Sequence, residues 1–327
     1  MRDFHLPGRS AVYATNGVCA TSHPLAAKVA IDTLQAGGNA VDAALAGAFV
    51  LGIAEPQMCG IGGDCFILLK PAGTEDILAL NGSGRSPAGY DAQALRDQGH
   101  KTVPLRGIAP VTLPGAMAAF CRLSDDHGKL GLDRITAPAI RYAEDGIPVA
   151  PRVAFDWADD APALQGAARD HYLIGGMVPK VGQIFRAPGQ AQVLRSLARN
   201  GRKGFYEGEV AEDMITSLTA FTAQLDGGLG IVLRELISEA AHDPTLAAEF
   251  QTRFGQAKQV EVISRMAEIT ADAMPRLRAM KDLTAYWVEV DRLENRANKA
   301  YRRMLAELFN TPKADPITVM KHKDIID

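Results

Sequence analysis

Beyond residue 230 the chain is almost without glycine: of its 31 glycines, only Gly255 lies there. A segment so poor in the residue that supports tight turns excludes a loop-rich build and points to packed helices. Cysteine is scarce too. Cys19, Cys59, Cys65 and Cys121 show no C-x-x-C or C-x-x-H spacing, so they suggest no zinc site and read as buried free thiols in a reducing compartment. Neither sign of charge dominates, with 35 basic residues against 38 acidic and a formal net charge of −3. No overall field therefore draws nucleic acid or an anionic membrane. Long apolar runs are missing as well. The most apolar window, 40–54, is broken by Asp42 and falls short of the roughly 20 helical residues that cross a bilayer. Asp3, His5, Pro7 and Arg9 interrupt the place where a secretory leader would carry an unbroken apolar stretch, so a cytoplasmic protein is expected.

The glycine-rich part carries local signals of a mixed fold. Residues 24–36 read as a helix, with Pro24 in its first turn, Leu25, Val29 and Leu34 as an apolar stripe, and Gly37-Gly38 as its stop. Asn39 is placed to cap a second helix over 40–51. That helix is small and apolar almost all round, which predicts burial against close neighbours, and Glu55-Pro56 ends it. After a turn at Gly60–Gly63, residues 65–69 and 76–80 read as strands of a buried hairpin joined by Pro71-Ala72-Gly73. A Pro- and Gly-marked connector covers 103–115, and helical patterns follow at 116–123, 137–143, 190–199 and 209–218. Residues 1–219 thus predict an α+β region. A junction at 220–228 then leads into an all-α region.

In that region Leu229, Val232, Leu233, Leu236, Ile237 and Ala240 share one helical face, and Asp243-Pro244 starts another helix. A longer stripe includes Leu283, Trp287, Val290, Leu293 and Tyr301. Its alternating steps of three and four predict bundle packing, through self-association or a helical partner.

Five segments carry a resemblance to a known family. They are Gly37 to Ala44, Pro56 to Asp64, Leu113-Pro114-Gly115, Ala143 to Gly146, and Gly204-Phe205-Tyr206-Glu207-Gly208. In these, residues 1–219 resemble the N-terminal part of the large chain of γ-glutamyltranspeptidase-like enzymes. The resemblance implies part of the αββα sandwich of an N-terminal-nucleophile hydrolase. It also implies transfer or hydrolysis of a small γ-glutamyl substrate, without a cofactor. An N-terminal threonine can attack an amide because its own α-amine, with a pKa of about 8, accepts the hydroxyl proton. The family's Thr-Thr-His-like segment and its Gly-Gly oxyanion donors have no counterpart here. No catalytic residue is therefore assigned, and the chain alone is expected to be inactive.

The resemblance points to Arg85 as a carboxylate ligand, since a guanidinium holds a carboxylate bidentately. In the commoner family pattern the arginine lies four residues before a proline; Arg85 lies two before Pro87, and Ser83 takes the other position. Arg85 as a carboxylate ligand and Arg85 as a turn residue both remain open. Gly60, Gly62 and Gly63 form either a structural turn or a pocket wall; they precede a strand, which excludes a dinucleotide loop.

Residues 229–268 resemble the C-terminal helices of tetracycline-repressor-type regulators, in Leu233 to Ala240 and Asp243 to Ala247, without a DNA-reading head. Residues 269–327 resemble truncated PhoU-like accessory proteins, in Tyr286 to Asn295 and Tyr301 to Leu305. Metal pairs in such bundles place carboxylates at i and i+4, but Glu294 is followed by Asn298, so no metal is expected. Three partial resemblances suggest a composite chain. The alternative expectation is a non-catalytic helical interaction module.

Overall fold

The glycine stop and the asparagine after it set the first packing unit. In the computed structural model, which describes residues 12–74, 77–85, 92–104, 107, 109–223 and 292, helix α1 spans Pro24–Gln35 and α2 spans Ala40–Ala54. Asn39 caps α2 as expected. Its side chain accepts the Asp42 N–H at 3.0 Å, while the Asp42 carboxylate accepts the Asn39 N–H at 2.9 Å, a reciprocal capping box. The helix runs past Leu51 and stops at Glu55.

Asp42 reaches further than its own helix. Fully buried, it also accepts the Lys129 N–H at 3.0 Å and the Leu130 N–H at 3.2 Å, and Asn39 Nδ2 donates to the His127 carbonyl at 2.6 Å. A buried carboxylate is tolerable when several N–H donors replace its water. The start of α2 is thereby tied to the turn at His127–Leu130.

The chain divides into two units, Met1–Cys65 with Gly82–Ala247 and Phe66–Asn81 with Ala248–Asp327. In the second, a hairpin pairs β1 (Phe66–Leu69) antiparallel with β2 (Leu78–Asn81), Phe66 opposite Asn81 and Leu69 opposite Leu78. The expected burial of this hairpin is not found. Phe66 and Leu68 are 63% and 61% exposed, because alternate side chains share a face and this pair presents one face to solvent.

The first unit continues with α3 (Ala92–Asp97), α4 (Ala116–His127) and α5 (Leu132–Asp145). Then come β3 (Ile147–Pro148), α6 (Pro151–Asp160), α7 (Ala167–Tyr172) and β4 (Ile184–Phe185). It ends with α8 (Pro188–Asn200), α9 (Lys203–Tyr206) and α10 (Gly208–Ala223). Packing runs α1 on α2, α2 on α4 and α5, α5 on α8, α8 on α9, and α9 on α10. A Cβ on Gly47 would sit 3.4 Å from the Ala26 carbonyl oxygen, so α1 and α2 approach closely. As the Ala-rich pattern predicts, α2 is buried nearly all round, with Leu45, Ala46, Phe49, Val50 and Ile53 at most 2% exposed. Each of the larger ones stabilises by about 1.5–3 kcal/mol. Phe49 meets Phe120 of α4 edge-on at 5.4 Å. At the other end, β3 pairs with β4, and Trp157 of α6 packs on Phe185 at 5.0 Å.

Two further expectations change. The four cysteines are free, but only Cys121 is buried; Cys19, Cys59 and Cys65 lie outside helices and strands, where a side chain is only half covered. The helix expected at 137–143 begins earlier, at Leu132, with Pro138 inside it. The helices expected at 229–268 and 269–327, with the stripe of Leu283, Trp287, Val290, Leu293 and Tyr301, lie outside the described residues. No helix among the described residues is long and apolar enough to cross a membrane.

Candidate functional site

Short glycine turns from distant parts of the sequence meet at one place in the first unit. The Gly60–Gly63 turn closes with the Gly63 N–H donating to the Gly60 carbonyl at 3.4 Å. Gly63 in turn accepts the N–H groups of Gly115 and Ala116, both at 3.1 Å. Just past β2, the Thr112 hydroxyl donates to the Ser83 carbonyl at 3.2 Å and the Leu113 N–H donates to the Arg85 carbonyl at 2.9 Å.

These approaches depend on missing side chains. Gly84 has φ +76°, and a Cβ there would fall inside the Leu113 carbonyl oxygen, a position closed to other residues on both counts. A Cβ on Gly115 would lie 2.5 Å from the Gly84 nitrogen.

Tyr206 completes the junction. Only 2% exposed, its hydroxyl donates to the Pro114 carbonyl and accepts the Ala118 N–H at 3.1 Å. Arg202 lies over its ring at 5.4 Å. Burial pushes the phenol's pKa up, opposed by the Ala118 hydrogen bond, so the proton stays on the group that donates it.

Beside this junction opens a cleft of about 800 Å³. One wall is Gly62, Val111, Thr112 and Pro114; the others come from α8, with Arg195, Ser196 and Arg199, and from α10, with Glu209, Asp213 and Met214. Arg195 forms an ion pair with Glu144 of the Ala143–Gly146 segment. Both charge signs and apolar side chains therefore face the cleft.

Of the residues singled out from sequence, Gly62 lines the cleft, while Gly60 and Gly63 form the turn beneath it. Ser83 and Arg85 are half-buried and are joined to the cleft wall through Thr112 and Leu113; neither lines the cleft itself. Tyr206 and Arg195 are not among the residues that the sequence marks as site candidates. The signal for Tyr206 was present, as a large polar aromatic inside a Gly-Phe-Tyr-Glu-Gly segment.

Burial, with Asp64 adding to it, pushes the Cys65 thiol up to about 12; burial, with Asp125 adding, does the same to Cys121. Neither is poised as a nucleophile at neutral pH. No group of three or more metal-ligating side chains occurs among the described residues.

Comparison with known proteins gives the family. The gamma-glutamyltranspeptidase family pattern matches residues 26–232. The chain is 31% identical over 212 residues to a glutathione hydrolase proenzyme of Bacillus subtilis, covering 63% of this chain and 36% of that protein. It is 34% identical over 239 residues to an oxamate amidohydrolase proenzyme of Klebsiella pneumoniae, covering 71% and 44%. The chain thus spans about two fifths of the length of these curated relatives. Among solved structures, the gamma-glutamyltranspeptidase of Helicobacter pylori superposes with a TM-score of 0.63 at 25% identity, covering 71% of this chain and 66% of that one. With the family pattern over more than half its length and a mixed helix-and-strand fold of the same type, the chain belongs to the gamma-glutamyltranspeptidase family.

Proposed function

We propose that residues 1–219 form the substrate-positioning part of an enzyme that cleaves or transfers a γ-glutamyl or related small acyl amide. The carrying observation is that the Gly60–Gly63 turn, the Ser83–Arg85 segment and Tyr206 are all fastened by hydrogen bonds to the 111–118 connector, whose Val111, Thr112 and Pro114 form one wall of the cleft. In this reading Arg85 holds the substrate carboxylate, since a guanidinium offers two parallel donors to a planar anion. Gly62 leaves the cleft wall bare so that a substrate can approach the backbone. The relatives' names share amide chemistry: one is called a glutathione hydrolase and another an oxamate amidohydrolase. The nucleophile is assigned to a segment other than residues 1–219, because the resemblance implies an N-terminal threonine of the kind described above and these residues carry no counterpart of its segment.

The test is ligand-dependent stability. Millimolar glutamate or glutathione should raise the melting temperature by mass action, and Arg85→Ala should abolish the rise with little change in the baseline. The purified chain should release no product from a γ-glutamyl anilide. Absence of any ligand-dependent shift, or turnover by the intact chain, would refute the assignment.

A further inference from the structure

The connector between Val111 and Ala118 makes hydrogen bonds in three directions. It donates to Gly63 through Gly115 and Ala116, and to the Ser83–Arg85 segment through Thr112 and Leu113. To Tyr206 it presents the Pro114 carbonyl and the Ala118 N–H. Proline offers the chain an acceptor and no donor. The Pro114 carbonyl and the first-turn N–H of α4 are therefore backbone groups for which the Tyr206 hydroxyl, donor and acceptor at once, is a matched partner.

The tyrosine is itself firmly mounted. It ends α9, and a Cβ on Gly204 would lie 3.0 Å from the Leu197 nitrogen of α8, which measures how tightly α9 is seated. Arg202 covers the ring face. One hydroxyl thus fastens the connector to α9, which packs on both α8 and α10, the helices that carry the far walls of the cleft.

We infer that Tyr206 is a positioning residue: its hydroxyl sets the place of the Val111–Ala118 connector, and through Thr112 and Leu113 it sets Ser83 and Arg85 relative to the cleft. The link to substrate rests on the reading of Arg85 proposed above, while the positioning itself is a property of the hydrogen bonds. A merely structural tyrosine would stabilise the fold as a whole. A positioning tyrosine holds one segment.

Amide hydrogen exchange on the full-length chain separates the two, because it reports opening segment by segment. Tyr206→Phe keeps the ring and its packing and removes only the hydroxyl. It should speed exchange at Leu113, Gly115, Ala116 and Ala118 by about tenfold, the scale of one net hydrogen bond, and leave α1 and α2 unchanged. Thr112→Val, which removes the Ser83 contact alone, should leave Ala118 protected. It therefore gives a second reading should the phenylalanine variant fold poorly. Unchanged exchange at the four amides in Tyr206→Phe, or a rise shared equally by α1 and α2, would overturn the inference. So would loss of Ala118 protection in Thr112→Val. The glutamate-dependent shift in the parent chain separately judges the Arg85 reading, so failure of one is not mistaken for failure of the other.

Discussion

Replacing Asp42 with alanine tests whether the first packing unit is held by a single buried carboxylate. The side chain is fully buried and accepts N–H groups from Asn39, Lys129 and Leu130 at 2.9–3.2 Å. Removal leaves these three donors without an acceptor. Each unsatisfied buried donor costs about 1–3 kcal/mol. The three share one pocket and relax together, so their costs do not simply add. A loss of about 3–5 kcal/mol is expected, since a hydrogen bond to a charged acceptor contributes about 1.5–3 kcal/mol and the three add only in part. In a domain of this size that is roughly 6–20 °C in melting temperature. Asp42→Asn should fall between parent and alanine variant, since it keeps one acceptor oxygen but turns an amide group toward N–H donors. The assay is urea unfolding followed by circular dichroism, with an unchanged slope showing that the compactness of neither end state has altered. If Asp42→Ala loses under about 1 kcal/mol, the carboxylate does not bear the role described, and the turn at Gly128–Leu130 is held by other means.

Two further changes probe the fold and its pH response. Gly84→Ala should destabilise by more than about 1 kcal/mol, because φ is positive and the new methyl meets the Leu113 carbonyl; a melting temperature equal to the parent's would disprove the close approach. His23 caps α1 through Nδ1, which accepts the Leu25 N–H at 3.2 Å, and it is 2% exposed. Burial lowers its pKa from 6.5, and Glu55, which accepts the Ser22 hydroxyl at 2.5 Å, only partly opposes this. A folded-state value below the unfolded one means stability is fully present above pH 6.5 and is lost as pH falls toward the lowered value. His23→Asn keeps a capping acceptor and should flatten the fall in melting temperature on acidification; an unchanged slope would pass the effect to His171, whose pKa burial also lowers.

The parts of the fold most legible in the sequence are those governed by neighbours in the chain. Asn39 and Asp42 are three residues apart, so the cap of α2 follows from local spacing, as does its stop before Pro56. Burial of the hairpin is different. The apolar run Phe66-Ile67-Leu68-Leu69 suggests two covered faces, and whether both are covered depends on what packs there, which spacing alone does not contain. The early start of α5 is hidden by Pro138; Arg134, whose carbonyl the proline leaves without its helical donor, is exposed, so the cost is small. Helix α6 has only a weak local signal, a first-turn proline at Pro151 and an i, i+4 pair at Val153 and Trp157 whose burial spacing alone does not reveal. The site was legible as separate glycine motifs. Their meeting was not, because Gly62 and Thr112 face Arg195 of α8 and Asp213 of α10 across one cleft only in the folded chain.

The Tyr206 clamp also constrains the order in which the molecule can be completed. Its partner carbonyl at Pro114 lies 92 residues earlier, so a chain emerging from the ribosome presents the Val111–Ala118 connector long before its fastening exists. Helices α1, α2 and α4, with the Asp42 network, can assemble once Leu130 has been made. The connector must then wait through the synthesis of α5 to α8, with Pro114 and Ala118 satisfied by water. At about 5–20 residues per second this interval lasts on the order of 5–20 s. Until Tyr206 has been made the loop has no side chain to latch it, and α9 is the bolt that reaches a connector already 92 residues old.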